Sequence, residues 1–320
     1  MYRKLNIRLL SIVFTVLLVI TVIVKLMDKK HGDRTLKSVL VELNSDDVTT
    51  VKIYPKKLKG EEVKITRQGS GWFVSDGDKQ YKADTTMVMN IIRMCENLKP
   101  LRMAATKKDK WASFEVTDSL ATKIVLEGDG DELADVYIGK FSYRQSKNQM
   151  QQQNQYGRPQ GTMNTYVRVG GEKEVYAVEG FLGMSVNRDI KDFRDKTVIN
   201  GNTNEWNKIV FNYPADSSFV MIKQGDKWMI DGLMADSAAV VNYLRPLGRL
   251  QSSSFTDLAM NNPTYTVRFE GGTNPVEIKA SPGTDGVSIT SSMNSGTVFL
   301  EAADGNIMKK VFASKQQFMK

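Results

Sequence analysis

The sequence predicts an α+β protein: an N-terminal transmembrane helix followed by two tandem α+β repeat units, each of antiparallel strands with one packed helix. Three observations lead there. Residues 9–24 read LLSIVFTVLLVITVIV without a charge. Residues 63–74 (VKITRQGSGWFV) return without gaps as residues 219–230 (FVMIKQGDKWMI). After each copy come an Ala-Asp pair, a helical apolar pattern and further β-type segments.

Leu26 and Met27 carry the apolar run past Lys25, whose stem can snorkel to the interface. Residues 9–27 are thereby just long enough for a hydrocarbon core of ~30 Å. Neither a small-x-small cleavage site nor a cysteine follows, so the segment reads as an uncleaved signal anchor. Arg3, Lys4 and Arg8 precede it, and Lys25, Lys29, Lys30, Arg34 and Lys37 accompany its far end. Charge counting therefore leaves the orientation open. Residues 1–8 form the amino end and residues 28–43 a linker.

The first repeat unit is placed at 44–200 and the second at 201–320. In each, two strands joined by a Gly-containing turn carry a Trp on the returning strand, Trp72 and Trp228. Asp84 and Asp236 sit where a helix N-cap belongs. Met87, Val88, Ile91, Ile92, Cys95 and Leu98 share one helical face, matched by Ala239, Val240, Tyr243, Leu244, Leu247 and Leu250. Pro246 is expected to shorten the second helix. Strands at 121–126 and 133–139 correspond to 264–269 and 275–280. Those at 165–169 and 174–178 are matched to 297–300 and 308–312. A Gln/Asn-rich insertion at 140–163 has no counterpart and is expected to be a flexible hairpin extension.

The chain has 320 residues, 41% hydrophobic and 25% charged, with a formal charge of +8. Residues 1–37 hold eight basic residues and two acids, so residues 38–320 carry only +2. A nucleic-acid partner would need that charge on the folded part. His31 and Cys95 are the single residues of their types. That excludes a multi-His or Cys-rich zinc site and an intrachain disulfide, and leaves nucleophilic catalysis through histidine only His31. Trp72 and Trp228, flanked by apolar strand residues, read as core rather than as sugar platforms. Asp76-Gly77-Asp78 and Asp129-Gly130-Asp131 read as turns, because neither continues as a calcium loop. Gly69-Ser70-Gly71 lacks the Lys-Ser/Thr of a phosphate loop. Cys95 reads as a buried small hydrophobe and His31 as a solvated residue. Residues 188–196 read as an exposed helical turn with Arg188/Asp192, Lys191/Asp195 and Asp192/Lys196 ion pairs. No catalytic, cofactor-binding or metal-ligating residue is assigned.

The stations at 64–74, 83–84, 136–139, 166–168, 175–178 and 193–196, following one apolar segment, give the chain a resemblance to the bacterial domain of unknown function 4340 family. Phe114-Glu115-Val116 stands where that family has Tyr-Gly-Leu, and the second copy lacks the Ile-Gly and Phe-Arg-Asp-Lys stations. The resemblance implies an inner-membrane, single-pass protein with its amino end inside and its folded part in the periplasm. It also implies kinship with auxiliary parts of gliding-motility-type ABC transporters.

The expected function is therefore that of a non-enzymatic structural or interaction protein in a transporter-linked envelope complex. Its partners would be proteins of the inner membrane or envelope, with no cofactor. Such a role would show as a contiguous exposed apolar patch of several hundred Å². The alternative is a module binding a cell-envelope polysaccharide or peptide, with exposed aromatics in a cleft between the units.

Overall fold

Gly69 and Gly225 adopt φ values of 58° and 60° in the two repeated turns, a left-handed conformation that favours glycine. Each turn closes a hairpin of a nine-stranded antiparallel sheet in a computed structural model, which describes residues 36–145, 161–272 and 274–319.

The first sheet contains β1 (Thr50–Tyr54), β2 (Val63–Gln68), β3 (Gly71–Asp76), β4 (Lys79–Lys82), β5 (Pro100–Ala105), β6 (Thr122–Gly128), β7 (Asp131–Gln145), β8 (Gly161–Val169) and β9 (Val175–Glu179). Their spatial order is β4-β3-β2-β1-β6-β7-β8-β9-β5. Strand alternation turns Val51, Ile53, Trp72 and Val74 to one face. Helix α1 (Thr85–Glu96) adds Val88, Ile91, Ile92 and Cys95 to the same core, with Met87 half-buried at its margin. Short helical segments α2 (Trp111–Phe114) and α3 (Gly183–Val186) lie outside the sheet.

From the first unit the chain leaves as β10 (Thr197–Asn200). The second sheet comprises β11 (Lys208–Asn212), β12 (Phe219–Gln224), β13 (Lys227–Ile230), β14 (Leu233–Met234), β16 (Phe255–Thr256), β17 (Tyr265–Glu270), β18 (Val276–Gly283), β19 (Gly286–Ser291) and β20 (Val298–Glu301). Its order, β14-β13-β12-β11-β17-β18-β19-β20-β16, repeats the first strand for strand. Between β14 and β16 lie α4 (Ser237–Leu244) and β15 (Arg249–Gln251), and α5 (Asn306–Val311) follows β20. Strand β15 pairs with β10, so a two-stranded ribbon joins the units.

An aspartate N-cap starts the main helix in both copies. Asp84 Oδ1 accepts the Met87 N–H at 3.0 Å, and Asp236 Oδ1 accepts those of Ala238 and Ala239 at 2.8 and 3.1 Å. Asp84→Ala is expected to lower stability by about 1 kcal/mol, read from the shift in urea midpoint. Helix α4 ends at Leu244, and Arg245–Gly248, containing Pro246, continues as a 3-10 turn.

Gly139 has a further reason to be glycine. A Cβ there would lie 2.3 Å from the Phe114 carbonyl oxygen and 2.7 Å from Val116 Cγ1. Gly139→Ala is expected to destabilise by about 1–3 kcal/mol, visible as a lower melting temperature.

The structure corrects several expectations. The α+β class with an N-terminal transmembrane helix gives way to a mostly β architecture, because two nine-stranded antiparallel sheets dominate and each carries one helix of modest length. Residues 9–27 lie outside the described residues, as do residues 1–8, His31 and 146–160. Among the described residues no helix is long and apolar enough to cross a membrane, so the structure does not support the single-pass anchor or the inner-membrane, periplasm-facing placement.

Of the segment 308–312, Met308 to Val311 are helical, in α5, and Phe312 is its C-cap, so no strand forms there. The strand equivalent to β8 is β19, and β20 corresponds to β9, so the final strands were matched one position out of step. Around the insertion, Lys140 to Gln145 and Gly161 to Met163 are strand, extending β7 and β8 past the rest of the sheet.

Candidate functional site

The connector between the units is where the two repeats stop being independent. Asp84 N–H donates to Phe193 O at 2.9 Å, and Asp195 N–H donates to Lys82 O at 2.7 Å, tying residues 193–195 to the end of β4. Beyond them, Ser252 N–H donates to Lys196 O, Ser291 Oγ to Val198 O and Asn294 Nδ2 to Asp195 O, all from the second unit. The segment is thus hydrogen-bonded on both sides.

Alternation along it sends neighbouring side chains to opposite environments. Asp195 faces a cleft of about 740 Å³ whose walls include Lys82, Asp84, Arg188, Thr197, Arg249 and Gln251. Lys82 Nζ reaches Asp195 Oδ2 at 3.2 Å and the Met293 carbonyl at 3.3 Å. The lining sets hydroxyl, amide and charged groups among apolar side chains such as Met87, Ile91 and Ile199, with no aromatic ring.

Arg194 takes the other direction and is only 1% exposed. Its guanidinium carbon lies 3.5 Å from the ring centre of Tyr81, in the first unit, and 4.1 Å from that of Phe255, in the second. Nη1 approaches Asp257 Oδ1 at 3.8 Å, while the Tyr81 hydroxyl donates to the same oxygen at 2.6 Å. Nε and Nη2 have no hydrogen-bond partner among the described residues. Arg168, a second ring-stacked arginine, differs in this respect, since its Nε donates to Val116 O at 3.0 Å.

Burial holds the Arg194 guanidinium below its ordinary pKa. Tyr81 is pushed up to about 12, first by burial and then by its bond to Asp257. The Tyr81 hydroxyl, ahead of the nearby cations, holds the Asp257 carboxyl below the usual carboxylate range. A depressed carboxyl contributes stability above its unfolded pKa and loses it as pH falls through the lower folded value. Amide exchange at Phe255–Thr256 is therefore expected to accelerate, relative to the sheet centres, as pH drops below about 4.

A second surface stands out at the projecting end of β7 and β8. Phe141 and Phe181 pack with ring centres 4.7 Å apart, and Tyr143 lies opposite Met163 in the strand register. Phe181 and Met184 line a shallow groove of about 410 Å³ beside Gly139. Met163, Phe181 and Met184 are 52%, 47% and 61% exposed.

The residues singled out from the sequence fall elsewhere. Trp72 and Trp228 are buried in the two cores, and Cys95 is buried with its thiol pushed up to about 12 by desolvation. Asp76-Gly77-Asp78 and Asp129-Gly130-Asp131 form the β3–β4 and β6–β7 turns, and Gly69-Ser70-Gly71 the β2–β3 turn. Among the described residues no group of three His, Cys, Asp or Glu side chains converges as a metal site.

Residues 188–196 are corrected in detail. Only Ile190–Phe193 is a 3-10 turn, boxed by Asp189 and Asp192. Lys57 pairs with Asp189 and Lys82 with Asp195 across the fold, while Lys196 Nζ donates to the Asp192 backbone carbonyl four residues earlier, so the expected i,i+4 side-chain ion pairs give way to these contacts. Sequence reasoning missed Arg194, Phe255 and the Phe141–Phe181 pair. The signal for Arg194 was its place directly after Phe193, whose counterpart Phe318 precedes an uncharged Met319.

No curated protein and no solved structure matches the chain. Residues 72–268 match the family described as domain of unknown function (DUF4340). That span runs from β3 to β17 and takes in the connector, Tyr81, Arg194, Phe255 and Asp257. Matched over more than half of its length, the chain belongs to the DUF4340 family.

Proposed function

We propose that this protein is a non-enzymatic interaction scaffold, in which two rigidly repeated sheets present apolar surface to a protein partner. One observation carries the reading: the exposed cluster of Phe141, Tyr143, Met163, Phe181 and Met184 at the projecting end of β7 and β8. Clustered exposed aromatics and methionines mark protein contacts more often than chance exposure does. The second unit has no such projection, since β18 and β19 meet through the short turn at Gly283–Gly286. Service as an auxiliary part of a transporter-linked assembly is one form of this reading and rests on the family resemblance.

A photo-crosslinking residue at Phe181 or Met184, in the native host, tests it. A discrete adduct is expected at both positions, absent from a control at Leu258 and lost on Phe141→Asp. Absence of any adduct, or the same adducts at the control, overturns the reading. A polysaccharide- or peptide-binding role would use the polar cleft, but that cleft offers no ring for a sugar to stack on.

A further inference from the structure

The second unit repeats the very surface on which the first unit seats it. Backbone bonds fix the correspondence. Ala83 N–H donates to Trp72 O and Ala235 N–H to Trp228 O; Asp84 N–H donates to Phe193 O and Asp236 N–H to Phe318 O. Register extends it, with Val74 opposite Tyr81 as Ile230 is opposite Leu233, and Phe73 opposite Lys82 as Met229 is opposite Met234. Tyr81, Lys82 and Arg194 therefore correspond to Leu233, Met234 and Met319.

In the first unit, Phe255 and Asp257 of the second cover Tyr81 and Arg194. In the second unit, Leu233 and Met234 are 58% and 59% exposed on an edge strand, and Met319 is half-buried beside the core.

The covering segment is duplicated too. Strands β5 and β16 occupy the same terminal place in the two sheets. Val167 opposes Tyr176, which opposes Met103; Ile289 opposes Phe299, which opposes Phe255. Met103 thus stands in the first unit where Phe255 stands in the second; a bulge after Met103 sets Ala105 opposite Val175, as Thr256 is opposite Val298, so that Thr106 takes the place of Asp257.

The charges match in both pairings. Arg194 meets the carboxylate of Asp257, whereas uncharged Met319 corresponds to a partner position held by uncharged Thr106. We propose that the Leu233–Met234–Met319 face of one copy takes the Met103–Thr106 edge of a second copy, repeating between chains the contact the two units make within one. Such a contact is head-to-tail, so every added copy leaves one face of each kind open and association proceeds stepwise. It uses neither Phe181 nor Met184, so its failure and the failure of the scaffold reading are separable.

Sedimentation velocity of the full chain over a concentration series tests it. Wild type is expected to show stepwise association, weakened at least ~10-fold by Leu233→Glu, by Met319→Arg or by Thr106→Asp, each of which buries an unpaired charge in the contact. Mixing Met319→Arg with Thr106→Asp is expected to restore association, because the two changes meet as the Arg194–Asp257 pair does. Leu233→Glu and Thr106→Asp lie on exposed side chains, which guards against a folding artefact. A wild type that stays monomeric, or association indifferent to all three variants, or a mixture that stays dissociated, overturns the proposal.

Discussion

Arg194→Met is expected to leave the protein as stable as the wild type or to stabilise it by about 1–4 kcal/mol, whereas Arg194→Ala destabilises it by about 2–5 kcal/mol. The guanidinium is 1% exposed, and its Nε and Nη2 lack partners, so folding strips water from a charge that only stacking and one carboxylate at 3.8 Å compensate. Methionine fills similar length between the rings of Tyr81 and Phe255 without that cost, and the second unit already carries Met319 at the corresponding place. Alanine leaves a void there. Equilibrium urea unfolding separates the two. If methionine destabilises as much as alanine, the stacked cation contributes more than its desolvation removes, and the account given for Arg194 is wrong.

Phe193→Ala and Phe318→Ala are each expected to lower the stability of their own unit by about 3–5 kcal/mol. Both rings are fully buried, and both residues offer the carbonyl that receives the N-cap aspartate's backbone N–H. Phe318 packs 5.1 Å from Tyr243 and 6.2 Å from both Phe211 and Phe219, inside the second core. The two cores are separate clusters of buried residues. Hydrogen exchange of Phe318→Ala should therefore show protection lost from β11 to β14 while β1 to β4 remain protected. Equal loss in both sheets would mean that the ribbon of β10 and β15 makes the units unfold as one body.

Whatever depended on neighbours in sequence was legible. Gly69 and Gly225 declared their turns, Asp84 and Asp236 their caps, and the apolar spacing from Val88 to Cys95 the buried face of α1. Residues 308–312 carried the helical signal in plain view: Met308, Val311 and Phe312 are apolar at i, i+3 and i+4 around Lys309 and Lys310, and Met308 to Val311 lie in α5. Strand β19 was overlooked because Ser288, Thr290 and Ser291 mask its buried Val287 and Ile289.

Overestimating helix in the fold class followed from weighing one clear amphipathic helix against strands that are individually weak signals. The contact around Arg194 was illegible in principle, since its rings come from β4 and β16 and only the folded chain brings them together. The same holds for Phe141 and Phe181, which lie on segments separated by the insertion.

Every strand of the first sheet precedes every strand of the second in the chain, with no exchange between them. During synthesis the first unit can therefore close before the second has left the ribosome. Until residue 257 emerges, Tyr81 and Arg194 remain in contact with water, and the charge stays hydrated. Its dehydration is deferred to the last act of maturation, when Phe255 arrives, so a nascent chain halted before that point would hold a finished first module with an open, soluble docking face rather than a misfolded one.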